Sequence, residues 1–225
     1  SIQSNMEETS KPKPTGPVVF DGMVVPPFPP LLQDAGKRFE EIKNMECRKD
    51  DVIVVTYPKS GTHWAWEIVT MLLKQRAEYS KEPMECFFLE AQVMDGWFKF
   101  EKDFEKAKKN DKRGAIITVH YESLKKNPVQ ETKRLAEYLN VELSKEEITE
   151  ISDKCSFKKL KLASQTVKDN SLVANVELFK KTEPFVHRKG EIGDWKNHFT
   201  VAMNENFDAI FKEEMKNSNI QVQFE

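Results

Sequence analysis

The first strong hydrophobic signal along the chain is continuous rather than periodic. After Arg48-Lys49-Asp50-Asp51, Val52-Ile53-Val54-Val55-Thr56-Tyr57 is a β-branched run, apolar at successive positions, which predicts a strand buried on both faces of a parallel sheet. Pro58-Lys59-Ser60-Gly61 ends it. From Thr62 onward the period changes: Trp64, Ala65, Ile68, Val69 and Leu72 share one face of a helix. Trp97, Phe100, Phe104 and Ala107 repeat that spacing in a Lys/Glu-rich surface helix that stops near Asn110-Asp111. A second buried-strand pattern runs from Arg113 through Ala115-Ile116-Ile117-Thr118-Val119 to Tyr121. Asn127-Pro128 then reads as a helix start, with Leu135, Tyr138 and Leu139 facing the core. Ser144 with Glu147 forms a capping box ahead of Ile148 and Ile151, and Thr200 opens a last helix bearing Phe207, Ile210 and Phe211. Residues 1–33 end in Pro26-Pro27-Phe28-Pro29-Pro30 and read as an extended arm without regular helix. Alternating strands and helices predict one α/β domain over residues 1–225, layered around a central parallel sheet.

Composition narrows the class. With 39% hydrophobic and 32% charged residues among 225, the chain is too apolar for a disordered protein and too charged for a membrane protein. The 35 Lys+Arg and 37 Asp+Glu nearly cancel, so no global positive field is available for a nucleic acid backbone, and any anion must be gripped locally. Cys47, Cys86 and Cys155 are far apart, with neither a CxxC pair for zinc nor a disulfide framework. The longest apolar runs are strand-length, and the early residues carry Lys11, Lys13 and prolines in place of an apolar leader. These features predict a cytoplasmic protein.

The stretch Thr56-Tyr57-Pro58-Lys59-Ser60-Gly61-Thr62-His63-Trp64 carries the most chemistry. A tight turn between a strand and a helix aims several backbone N–H groups and the positive end of the helix dipole at one point, the requirement for holding phosphate or sulfate. Gly61 allows close backbone approach, Lys59 supplies a cation, Ser60 and Thr62 supply hydroxyls, and Trp64 offers a face for a base. The pattern is P-loop-like without being GxxxxGK[ST], because Lys59 precedes the only nearby glycine. An ordinary turn with a helix cap is the plain alternative. A second segment, Arg188-Lys189-Gly190-Glu191-Ile192-Gly193-Asp194-Trp195-Lys196, sets two cations against two glycines, as expected for a second phosphate; its plain alternative is a solvated basic turn.

Together, TYPKSGTxW and RKGxxGDWKNxFT resemble the two signatures of the cytosolic sulfotransferases, which use 3′-phosphoadenosine 5′-phosphosulfate (PAPS) and release 3′-phosphoadenosine 5′-phosphate (PAP). The resemblance runs in order from about Phe20 to Glu225. It implies a three-layer α/β fold and transfer of a sulfuryl group to a hydroxyl or amine of a small acceptor such as a phenol, alcohol or steroid. It also implies that Lys59, Ser60, Gly61, Thr62, His63 and Trp64 hold the 5′-phosphosulfate, with Lys59 near the departing oxygen and Trp64 against adenine. Arg188, Lys189 and Gly190 would grip the 3′-phosphate. Tyr121 matches the family's adenine-side tyrosine. Cys155 and Phe157 match a Thr-Ser-Phe element whose first and third residues touch the nucleotide, with Cys155 in place of a hydroxyl. Lys196-x-x-x-Thr200-Val201-x-x-x-Glu205 resembles the family's dimerisation motif and implies a homodimer.

The chain departs from the family at a seam near 91–93. Family members carry there a strand ending Lys-Thr-His, whose histidine is the general base, and an Arg-Asn-Pro-Lys-Asp element that adds to the 3′-phosphate site. Here Phe87-Phe88-Leu89-Glu90 runs directly into Val93-Met94-Asp95-Gly96-Trp97. Two readings follow: an active enzyme with that segment present in the natural molecule, or a shortened, catalytically dead isoform that still binds nucleotide and dimerises. Among the histidines, His63 lies in the anion loop, while His120, His187 and His198 flank motifs and read as structural. His120-x-Glu122 lacks the Pro-Cys-x-x-Cys partner of a zinc deaminase, so no metal is assigned. A P-loop kinase would need an aspartate ending a buried strand to hold magnesium, and the 115–121 strand ends in His-Tyr.

Overall fold

The structure, a computed structural model, describes residues 18–21, 23–25, 29–57, 60–80, 96–166 and 189–224. The described residues fall into two compact units, one ending at Glu46 and one beginning at Cys47.

In the first unit, β1 (Val18–Phe20) and β2 (Met23–Val25) pair antiparallel, with Val18 opposite Val25. Helix α1 (Pro29–Lys43) follows and is interrupted at Asp34, whose backbone is extended (φ −159°, ψ 93°). The Asp34 carboxylate accepts the Lys37 N–H at 2.9 Å and so restarts the helix. Phe20 stacks on Phe39 with ring centroids 4.9 Å apart. An arm without regular helix was expected as far as residue 33; instead helix begins at Pro29. Proline is tolerated in a first helical turn, where its missing N–H has no partner to lose.

The second unit is helical. Helices α2 (Thr62–Lys74), α3 (Trp97–Asn110), α4 (Tyr121–Lys126), α5 (Pro128–Tyr138), α6 (Lys145–Lys154) and α7 (Phe157–Thr166) precede a 3-10 turn (Asp194–Asn197) and α8 (Val201–Glu214). One core joins α2, α4, α5, α6 and α7. Ile68, Met71 and Leu72 of α2 pack with Leu124, Leu135, Ala136, Ile148, Ile151 and Leu160, and Leu139 borders the cluster. The predicted helix starts hold. Ser144 Oγ accepts the Glu147 N–H at 3.2 Å while Glu147 Oε2 accepts the Ser144 N–H at 2.7 Å, and Thr200 Oγ1 accepts the Met203 N–H at 3.2 Å. Around α3 and α8, Trp97 stacks on Phe211 and Phe98 on Phe207.

The expected parallel sheet is not formed among the described residues, whose only sheet is the β1–β2 pair. Segments 51–57 and 114–120 have no regular secondary structure. A helix closes its hydrogen bonds within one segment, whereas a strand exists only when a neighbour offers a second row of donors and acceptors. Val52, Ile53 and Val55 are accordingly exposed rather than buried, while Ile117 and Val119 find partial cover against the helical core.

Candidate functional site

The first anion turn is closed by local bonds. The Ser60 N–H donates to the Tyr57 carbonyl at 3.2 Å and Ser60 Oγ to the same oxygen at 2.6 Å. Gly61 takes a left-handed conformation (φ 102°, ψ 26°) immediately before α2, with its carbonyl accepting the Ala65 N–H at 3.0 Å. Across the turn the Thr56 and Thr62 hydroxyls lie 2.5 Å apart. The N-cap of α2 is Gly61, which has no side chain of its own to meet the leading N–H groups, and a helix start of this kind is where an anion can be held. Lys59 lies outside the described residues, and His63 sits half-buried in that first turn.

Two aromatic rings complete this turn. Trp64 and Tyr121 meet edge to face at 5.5 Å, and a Cβ added to Gly61 would lie 3.1 Å from Tyr121 Cδ2. The predicted residues Gly61, Trp64 and Tyr121 are therefore in one place, although they are distant in sequence.

The second turn has the same logic with different parts. Gly190 (φ 69°) and Gly193 (φ 77°) are both left-handed, and a Cβ on Gly190 would come within 2.4 Å of Phe157 Cδ2, so only glycine fits. Lys189 Nζ donates to Asp194 Oδ1 at 2.6 Å. Asn197 Nδ2 donates to the same oxygen at 3.0 Å, and His198 Nε2 lies 3.2 Å from Oδ2. Arg188 and His187 fall outside the described residues.

Helix α4 connects the two turns. Tyr121, its first residue, backs Gly61; Lys125, four residues on, holds its ammonium 5.9 Å from the centroid of the Phe157 ring that backs Gly190. Positions four apart lie on one helix face, separated by about 6 Å of rise. Gly61 is thus backed by α4 directly, and Gly190 through Phe157, which lies beside the same short helix.

Cys155, expected to touch a nucleotide, is a core residue: it is fully buried and its Sγ donates to Met71 Sδ at 3.6 Å. Burial, with the Glu67 carboxylate nearby, pushes its thiol up to about 12, so it stays protonated. Phe157 serves the site by backing Gly190.

Two buried carboxylates were assigned no role by sequence. Asp194 lies within the quoted motif but shows its burial and its contacts with Lys189, Asn197 and His198 only in the fold. Glu67, on α2, has a buried Oε2 without a hydrogen-bond partner. Burial raises its carboxyl to about 7, against the opposing influence of the Ser80 N–H and Lys74. A Glu between the apolar positions of α2 carried no sequence signal beyond its charge. On α3, burial also raises the Glu101 carboxyl, offset by Trp97 and His120. Among the described residues, no cluster of His, Cys, Asp and Glu could hold a metal ion, and no helix is long and apolar enough to cross a membrane.

The two glycine turns are each backed by an aromatic ring, Gly61 by Tyr121 and Gly190 by Phe157. The sulfotransferase domain family matches residues 49–109 and 76–219, and the chain belongs to that family. Bovine (Bos taurus) sulfotransferase 1E1 is 26% identical over 278 residues, covering 85% of this chain and 92% of the relative. Dog (Canis lupus familiaris) sulfotransferase 1B1 is 25% identical over 287 residues, covering 87% and 94%. Rabbit (Oryctolagus cuniculus) amine sulfotransferase is 24% identical over 268 residues, covering 80% and 85%. The crystal structure of mouse sulfotransferase SULT7A1 complexed with PAP superposes with a TM-score of 0.57 at 23% identity, over 82% of this chain and 91% of that one, a likeness of fold. The chain has the α/β sulfotransferase fold in outline, and it is a sulfotransferase.

Proposed function

We propose that the chain transfers a sulfuryl group from PAPS to a hydroxyl or amine of a small acceptor, leaving PAP. The observation that carries this reading is the linkage of the two turns through α4, which sets Gly61 with Trp64 and Tyr121 at one end and Gly190 with Phe157 and Lys189 at the other. Ser60, Thr62, His63 and the leading N–H groups of α2 hold the 5′-phosphosulfate, while Arg188, Lys189 and Gly190 hold the 3′-phosphate.

Sulfuryl transfer needs an acceptor oxygen or nitrogen in line with the S–O bond, a base for its proton, and positive charge on the phosphate oxygen that departs. Lys59 and the loop amides meet the last need. The histidine that acts as base in the family belongs to the segment absent here near 91–93. Alignments of 278 and 287 residues exceed this chain's 225, which supports a segment carried by the relatives and missing from this sequence. With that segment restored, residues 51–57 and 114–120 become strands of a three-layer fold's central parallel sheet within one domain. The alternative, an isoform that binds nucleotide without transferring, is the less favoured reading, since the named relatives are sulfotransferases. A cytoplasmic site of action follows from the resemblance of its two motifs to those of the cytosolic sulfotransferases.

A homodimer forms through Lys196, Thr200, Val201 and Glu205. Support comes from Val201, which is 76% exposed at the start of α8 beside exposed Thr200 and Glu205.

Lys59→Ala tests the reaction. The variant should lose about 10²–10³-fold in kcat, the effect of removing one donor to a developing oxyanion, while PAP binding by calorimetry weakens much less. Unchanged sulfation of a phenol or amine acceptor by this variant would overturn the assignment.

A further inference from the structure

The Lys189–Asp194 pair is unusual for an anion site, because it places a carboxylate beside the cation that should meet a phosphate. Asp194 is the more buried partner, its side chain only 2% exposed, while the Lys189 side chain is 45% exposed. A buried carboxylate is costly unless donors surround it. Among the described residues Asp194 is met by Lys189 Nζ and Asn197 Nδ2 on Oδ1, and by His198 Nε2 on Oδ2. The residue sits at the first position of the 3-10 turn that left-handed Gly193 opens, and the Lys196 N–H closes that turn on the Gly193 carbonyl at 3.1 Å. Trp195 pins the same turn from outside, donating its indole N–H to the Phe224 carbonyl at 3.2 Å.

Lysine carries three N–H donors on a flexible stem. One bond to Asp194 fixes the ammonium at the base of the turn and leaves two donors on its exposed side. The immobilisation that a free lysine would undergo on meeting a phosphate is then already complete before the ligand arrives.

We propose that Asp194 is the positioning residue of the second anion turn: through Lys189, it sets the selectivity for a nucleotide carrying a 3′-phosphate over one without it. This inference rests on the reading that Lys189 meets that phosphate. Asn197 contributes by holding the oxygen that Lys189 shares.

The experiment measures binding of PAP and of 5′-AMP by calorimetry and takes the ratio of the two affinities. A merely structural role would weaken both nucleotides alike and leave the ratio unmoved. Asp194→Asn is expected to lower the PAP/AMP ratio about tenfold, a loss of about 1.4 kcal/mol of discrimination. Asn197→Ala, at an exposed position that should tolerate the change if Asp194→Asn does not fold, is expected to lower it about threefold. In a Lys189→Ala background, adding Asp194→Asn should leave the ratio where Lys189→Ala put it. If Lys189→Ala lowers the ratio but Asp194→Asn and Asn197→Ala leave it unchanged or raise it, the positioning role is wrong while the reading of Lys189 stands. If Lys189→Ala itself leaves the ratio unchanged, the placement of the 3′-phosphate at this turn is wrong, and the role of Asp194 falls with it.

Discussion

The two glycine turns solve one problem by opposite means. The turn at Ser60–Thr62 is neutral where it is described: backbone bonds, a hydroxyl pair and the helix start after Gly61 shape it, and a Cβ added at Gly61 would meet Tyr121 Cδ2 at 3.1 Å. The turn at Lys189–Gly193 is built on charge and tight packing, with a buried carboxylate inside it and the Phe157 ring pressed against Gly190. Each turn also has a buried acid near it, and these differ in the same sense. Asp194 is met by Lys189, Asn197 and His198 among the described residues, whereas Glu67, one and a half turns into α2, keeps an oxygen buried without a partner there. Shape made by backbone tolerates small changes; shape made by a paired charge in a tight space does not.

Alanine at each glycine tests that contrast most strongly. At Gly190 the added Cβ would collide with Phe157 at 2.4 Å while the backbone stays at a φ that L-residues rarely adopt, so Gly190→Ala should weaken PAP binding more than tenfold, about 1.4 kcal/mol or more. At Gly61 the φ is strained too, but Tyr121 needs to yield only a few tenths of an ångström, and the loss should be smaller. Equal losses in calorimetry would erase the distinction.

The two acids differ in what pH does to them. The folded Glu67 value of about 7 lies above its ordinary 4.5, so the folded chain keeps this proton over a range in which the unfolded chain releases it. Its contribution to stability is therefore complete below about pH 4.5 and is lost as pH rises through about 7. Glu67→Gln should stabilise the chain above pH 7 by on the order of 2 kcal/mol and leave it unchanged at pH 4. Urea unfolding of both proteins at pH 5 and pH 8 reads this directly; a pH-independent difference would remove Glu67 as the source. A smaller effect belongs to a capping box remote from either turn. Ser144→Ala should cost about 1 kcal/mol of stability while leaving PAP affinity untouched. A shift in that affinity would mean that the turns respond to general loosening rather than to their own parts.

The sequence alone determined much of what is closed by near neighbours, the start of α1 at Pro29 excepted. The start of α2 after Gly61, the span of α3 from Trp97 to Asn110, and the caps at Ser144 and Thr200 all rest on bonds within three or four residues, and all were legible. The paired motifs likewise identified the family, because they keep their order and spacing along the chain. Partners distant in sequence were not legible. Val52-Ile53-Val54-Val55 reads as a buried strand, but only neighbouring strands could bury it, and among the described residues none pairs with it. Cys155 lies in a nucleotide motif by spacing, yet packing turns its sulfur toward Met71 across 84 positions. Gly190 needed Phe157, and Gly61 needed Tyr121, to show how closely each backbone is approached. Burial and ring contact depend on which segments meet in space, and that was decided by the tertiary structure.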